Sequence, residues 1–148
     1  MGAHQKRFFW LSLAVLGVFV LGLVISVVAK WPAQFGGAGD PDAVATEFLS
    51  RGTALAPPLV PFILLGLAAV LATRADPWGT LGIALGTLLA IAFTIGSFGE
   101  ALAAPSKHVP TAALVAVGVI GTGLGVLLFL VGVHALLERR KSNRTRDR

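Results

Sequence analysis

The sequence predicts an all-α integral membrane protein with four transmembrane helices in an up-down bundle. Of its 148 residues 55% are hydrophobic and only 13% are charged, about half the charged share of a soluble domain. The apolar residues fall into four long runs, and the basic residues collect outside them. We therefore expect one transmembrane domain, residues 8–137, after a short N-terminal segment (1–7) and before a basic tail (138–148).

The first run, residues 8–29, contains no charged side chain. At about 1.5 Å per residue it reaches roughly 33 Å, enough to cross a bilayer core of about 30 Å. A cleaved signal peptide is the alternative, because Val27-Val28-Ala29 resembles a small-residue cleavage site. The hydrophobic part of a signal peptide is only about 7 to 15 residues long, so the length of the run favours a retained helix.

The other three runs are predicted spans at 55–73, 78–98 and 110–137. Three prolines crowd the start of the second run, and proline is tolerated only in the first turn of a helix. If that helix begins at Pro58 it is short. The third run follows Asp76-Pro77, a typical helix start, and the fourth is longer than a bilayer requires.

The distribution of lysine and arginine predicts the orientation. If the N-terminus is cytoplasmic, residues 1–7, the 74–77 link and the tail carry nine of the twelve basic residues. The opposite loops carry only Lys30, Arg51 and Lys107. Because cytoplasmic loops are enriched in Lys and Arg, both termini are predicted to be cytoplasmic. The composition is typical of a GC-rich bacterial gene, so the predicted location is the bacterial inner membrane.

The first external loop, residues 30–54, is predicted to contain a short amphipathic helix at about 41–51. Asp40 is the expected N-cap and Gly52 the expected stop. Glu47 and Arg51 are spaced as an i,i+4 ion pair. Such a helix could be a connector on the membrane surface or a lid over a substrate site or pore mouth.

Glycines predict where the helices touch, because small residues let helix backbones approach closely in lipid. The third run contains Gly82 and Gly86 in a GxxxG pattern, and the fourth contains Gly121 and Gly125. Gly118, Gly125 and Gly132 also repeat at steps of seven, which keeps one seam facing one partner. These glycines predict structural helix packing, and a homodimer face is the functional alternative.

Glu100 is the candidate polar site, because an ionisable group at the edge of a membrane span is costly and is a functional candidate. It follows Ser97 and Gly99 on the glycine-lined side of the third run. Lys30 ends the first run on the same side and is the predicted partner. Glu100 is expected either to reach headgroups and water at the interface, or to form a structural ion pair with Lys30, or to belong to a substrate or proton site.

The other polar features are the threonines of the third run, His134 and the basic tail. Thr80, Thr87 and Thr94 form a heptad line, and their hydroxyls are expected to bond to backbone carbonyls one turn earlier. His134 is expected to contact headgroups. The tail is predicted to contact anionic lipid headgroups through six basic side chains: Arg139, Arg140, Lys141, Arg144, Arg146 and Arg148.

The residues exclude several function classes. Cysteine is absent, which excludes disulfides, Cys-ligated metals and a cysteine nucleophile. No metal-ligand spacing, cofactor motif or catalytic constellation is present, and no aromatic residues interleave the basic tail as in a nucleic-acid surface. The small multidrug-resistance exporters carry a glutamate in the middle of their first helix, which binds proton and drug. The first run here contains no acidic residue, so the chain does not resemble that family at its essential position.

A non-enzymatic accessory or assembly subunit, as a homo-oligomer or within a larger membrane complex, is therefore the expected function. The alternative is a small transporter or pore, including a holin-like one, since holins often end in a basic tail.

Overall fold

The computed structural model describes residues 2–102 and 107–146, and side chains only as far as residue 141. The described residues form helices and no strands. The five helices are α1 (Ala3–Ala29), α2 (Val44–Glu47), α3 (Leu59–Ala72), α4 (Trp78–Leu102) and α5 (Thr111–Arg146). By length and composition α1, α4 and α5 could each cross a membrane. The chain is therefore an all-helical membrane protein with three long apolar helices.

Helix α1 is apolar on all sides and buries only one stripe. The buried positions follow steps of four and three residues along the helix: Phe8, Ser12, Val15, Phe19, Gly22 and Ser26. Most of the remaining apolar side chains are exposed, as expected of a surface that faces lipid chains. The helix ends at Lys30, whose φ of 56° is left-handed and turns the chain into the loop.

Helix α3 is shorter than the predicted 55–73 span. It begins at Leu59, directly after Pro57 and Pro58, and has 14 residues. The residue before a proline is biased away from the helical conformation, so the consecutive prolines keep Ala56 and Pro57 out of the helix. The segment 53–58 instead lies against α1, where a side chain at Gly22 would overlap the carbonyl oxygen of Leu55.

The loop helix is also shorter than predicted, with α2 covering Val44–Glu47 rather than 41–51. The following residues are turns, because the amides of Leu49 and Ser50 donate to carbonyls three residues back. Gly52 ends this segment with a φ of 84°, as its predicted role requires. The expected Glu47–Arg51 pair is present, with 3.6 Å between Oε1 and Nη1.

The contact between α4 and α5 is a seam of small residues. The buried positions of α5 again alternate by four and three: Leu114, Gly118, Gly121, Gly125, Leu128, Gly132 and Ala135. A side chain on its glycines would overlap small residues of α4: Gly118 meets Ala101, Gly121 meets Ser97, Gly125 meets Thr94 and Gly132 meets Thr87. Because the four glycines of α5 carry no side chain, the two helices can approach each other closely.

Two glycines of α4 lie at its contacts with α3 and α1. Gly82 lies against the backbone of α3 at Ala68 and Ala72, and Gly86 lies against the ring of Phe8 from α1. Phe8 also lies close to Gly132 and is fully buried. A ring from α1 thus fills the space that glycines on α4 and α5 leave open.

The threonine line of α4 is used locally. The hydroxyls of Thr87 and Thr94 donate to the carbonyls of Ile83 and Ala90 at 2.7 and 2.8 Å, the back-bonding that was expected. Thr80 differs, because its hydroxyl donates to Asp76 Oδ1 at 2.5 Å.

The α4–α5 seam predicts unequal costs for leucine at two neighbouring glycines of α5. Gly125→Leu should lower the free energy of unfolding by about 1–3 kcal/mol, because the new side chain would overlap Thr94. Gly123→Leu is the matched control, because nothing lies within 4 Å of its Cβ position, and its effect should stay within about 0.5 kcal/mol. Unfolding in detergent, followed by circular dichroism, measures both. Equal destabilisation would contradict the seam.

Candidate functional site

The polar residues of the protein form two groups at opposite ends of the helices. We call the end that carries residues 30–58 the loop end, and the end that carries the α3–α4 connection the tail end. Glu100 lies at the loop end, whereas Arg139 and His134 lie at the tail end.

Glu100 is buried between α4 and the loop. It is 9% exposed, and its two carboxylate oxygens accept hydrogen bonds from the backbone amide of Gln34 at 3.2 and 3.0 Å. The side chain of Gln34 in turn donates to the carbonyl of Pro32 at 2.9 Å. Gly99 permits this docking, because a side chain there would overlap the ring of Phe35. The carboxylate of Glu100 therefore anchors the first part of the loop to α4.

The predicted pair of Lys30 and Glu100 does not form in this structure. Lys30 Nζ lies 2.6 Å from Asp42 Oδ1, and both side chains are exposed. This ion pair raises the pKa of Lys30 and lowers the pKa of Asp42, so both groups stay charged at neutral pH. Lys30 points to solvent because its left-handed backbone turns it out of α1, whereas Glu100 faces the covered side of the loop.

A cavity of about 290 Å³ lies beside Glu100 at the loop end. Its walls come from α1, α3, α4, α5 and the loop, and they are mainly apolar. The polar side chains at the cavity are Glu100, Arg51, Thr53 and Ser97. Arg51 donates through Nη2 to the carbonyl of Gly37 at 2.5 Å, and its guanidinium also faces Glu47.

The tail end contains an ion pair that the sequence analysis missed. Arg139 Nη1 contacts Asp76 Oδ1 and donates to Thr80 Oγ1 at 3.2 Å, while Nη2 donates to the carbonyl of Arg74 at 3.1 Å. Its side chain is only 13% exposed. Arg139 is therefore a link between α5 and the α3–α4 connection, a contact that the predicted lipid-contacting role did not include.

For the other tail residues, contact with lipid headgroups stays a prediction. Lys141 Nζ lies 2.9 Å from Glu138 Oε1, and Arg140 is exposed. Helix α5 continues through the positions of Arg144 and Arg146, and Arg148 lies outside the described residues.

His134 lies against a second histidine rather than standing alone. Its ring is edge-on to the ring of His4 from α1, with 4.5 Å between the ring centroids. Within residues 2–102 and 107–146, no three His, Asp or Glu side chains are grouped so that they could hold a metal ion.

Comparison of the chain with protein-family models, curated proteins and solved structures finds no match.

A double-mutant cycle can distinguish separate partners for Lys30 and Glu100 from the ion pair between them that the sequence predicted. Glu100→Ala should lower the free energy of unfolding by about 1–3 kcal/mol, because it leaves the buried amide of Gln34 without its acceptor. Lys30→Ala should change stability little, since its ion pair with Asp42 is exposed. The double variant should show the sum of the two effects. A measurable coupling between the two positions would contradict the separate partners described here.

Proposed function

We propose that the chain is a non-enzymatic accessory or assembly subunit of a bacterial inner-membrane complex. In this proposal it crosses the membrane four times, with both termini in the cytoplasm. The closed interior of the helices is the observation that carries the functional part of the proposal.

The contacts between helices support the four crossings. Consecutive apolar helices touch with opposite ends in register: Gln5 of α1 donates to the carbonyl of Ala72 in α3, Ala72 lies against Gly82 of α4, and Ala101 lies against Gly118 of α5. Neighbouring helices therefore run in opposite directions. Helix α3 covers about 21 Å, and in this proposal the non-helical residues 53–58 before it belong to the second crossing.

The interior between the loop-end cavity and the tail end is filled by apolar side chains. Phe8, Leu65, Ile83 and Leu128 have no exposed surface, and they belong to one continuous apolar cluster. The hydroxyl hydrogens of Thr87 and Thr94 are not available to a conduction path, because both hydroxyls donate to carbonyls of their own helix. A closed, apolar interior supports a subunit that assembles with other proteins over one that conducts ions.

The outer surface of the helices supplies the contact area for such a role. Large apolar side chains are exposed on every long helix, for example Val28, Leu88 and Val119. These residues face lipid chains or partner helices. At the tail end Arg140 is exposed, next to the other basic residues of the tail, so this end is proposed to contact anionic headgroups.

The proposal is tested by native assembly and by ion flux. After light cross-linking in its native membrane and purification, the chain should be recovered at a constant ratio with another membrane protein or with further copies of itself. Liposomes that contain the purified chain should leak protons and potassium no faster than protein-free liposomes.

The second candidate function, a transporter or pore, gives the opposite result. It rests on the loop-end cavity and Glu100. Flux above the protein-free control, reduced by Glu100→Gln but retained by the exposed variant Asp42→Asn, would favour it. Recovery of the chain only as a monomer, together with such flux, would overturn the accessory role.

A further inference from the structure

The loop-end cavity has the size of a small ligand site. Its volume of about 290 Å³ is near the lower limit of about 300 Å³ for ligand pockets and corresponds to roughly ten water molecules. Because α1, α3, α4, α5 and the loop all contribute to its walls, a bound molecule would be held by most of the fold.

The two charged side chains that line the cavity are Glu100 and Arg51, and they form no direct ion pair with each other. Arg51 is already engaged by the carboxylate of Glu47 and by the carbonyl of Gly37. Glu100 receives hydrogen bonds from the amide of Gln34, but among the described residues it has no lysine, arginine or histidine nitrogen within 4 Å. A buried carboxylate is costly unless a positive charge compensates it. The cavity is therefore lined by one acidic group, Glu100, without a directly paired cation, and by one basic group, Arg51, that is already engaged elsewhere.

Aromatic rings complete the chemistry of a cation site. Phe19, Phe35 and Phe93 line the cavity, and the rings of Phe19 and Phe93 meet edge to face with 5.0 Å between their centroids. The faces of aromatic rings attract cations, and quaternary ammonium ligands are commonly held by such rings.

We propose that this cavity binds a small organic cation, an ammonium group with apolar substituents, with Glu100 as its counter-ion and the phenylalanine rings as its walls. The ammonium group could belong to a free amphipathic amine or to the headgroup of a membrane lipid. This inference is independent of the accessory role, because a ligand that occupies the cavity requires no partner protein and no conduction path.

Equilibrium dialysis of the purified full chain in detergent, with radiolabelled benzyltrimethylammonium, tests the proposal. We expect saturable binding at one site, which an excess of the uncharged analogue neopentylbenzene does not displace. Glu100→Gln should weaken binding at least tenfold, whereas Asp42→Asn removes a carboxylate outside the cavity and should leave the affinity unchanged. Unchanged affinity in Glu100→Gln would overturn the proposal.

A second pair of variants leaves Glu100 in place. Gly96 lines the cavity and nothing lies within 4 Å of its Cβ position, so Gly96→Leu should fill the cavity without overlap and abolish binding. Gly123→Leu also has open space at its Cβ but lies outside the cavity, and it should bind normally. Normal binding by Gly96→Leu would place the cation elsewhere and overturn the proposal, even if Glu100→Gln failed to fold.

The source of the cation is distinguished by competition. If ethanolamine-headgroup lipid displaces the probe and glycerol-headgroup lipid does not, the site takes a lipid headgroup. If neither displaces it, the site takes a free cation. Equal displacement by both lipids would mean that acyl chains fill the cavity, and it would overturn the role of the positive charge.

Discussion

The constraint on which the fold depends is the shortness of α3. Fourteen helical residues cover about 21 Å, whereas a bilayer core is about 30 Å thick. If α3 is part of the second crossing, as proposed, non-helical backbone next to it also lies at membrane depth, which is tolerated only when protein covers that backbone and satisfies its hydrogen bonds. The segment 53–58 meets both conditions.

Every backbone amide of residues 53–59 has a partner or lacks a hydrogen to donate. Thr53 donates to the carbonyl of Ala56, and the amides of Leu55 and Ala56 both donate to the hydroxyl of Thr53. Ala54 donates to Trp31 and Leu59 donates to Phe48. The two intervening residues are prolines, which have no N–H. The loop therefore supplies acceptors that helix α3, by starting late, does not provide.

The candidate site follows from this arrangement. To bond Ala54 and Leu59, the loop must fold back over the ends of α1 and α4, and there it covers Glu100. The carboxylate and the amide of Gln34 hold the loop in place, and the space left between the loop and the four helices is the cavity. The loop that covers the non-helical backbone therefore also encloses the acidic side chain of Glu100.

The features that the sequence predicted correctly are local ones. The end of α1, the start of α4 and the Glu47–Arg51 pair depend on residues within one or two turns of each other. The back-bonding of Thr87 and Thr94 is local in the same way. Hydropathy and spacing are sufficient in these cases because no distant segment competes.

The missed features depend on partners far along the chain. Arg139 is 63 residues from Asp76, and Gln34 is 66 residues from Glu100. Charge alone could not show whether Lys30 pairs with Glu100 or with Asp42, because both have a carboxylate. The structure has Lys30 paired with Asp42, on the exposed side of the loop. The consecutive prolines before α3 are visible in the sequence, but the acceptors at Trp31 and Phe48 that the non-helical segment uses lie outside that segment.

The central claim is that α3 and the non-helical segment before it together cross the membrane. Single cysteines can test this directly, because the natural sequence has none. An impermeant thiol reagent added to intact cells should label Ala38→Cys in the loop. It should label Ala3→Cys and Ala75→Cys, which lies between α3 and α4, only after the membrane is permeabilised. Labelling of Ala75→Cys in intact cells to the same extent as Ala38→Cys would show that α3 enters and leaves on one side, and it would contradict the account.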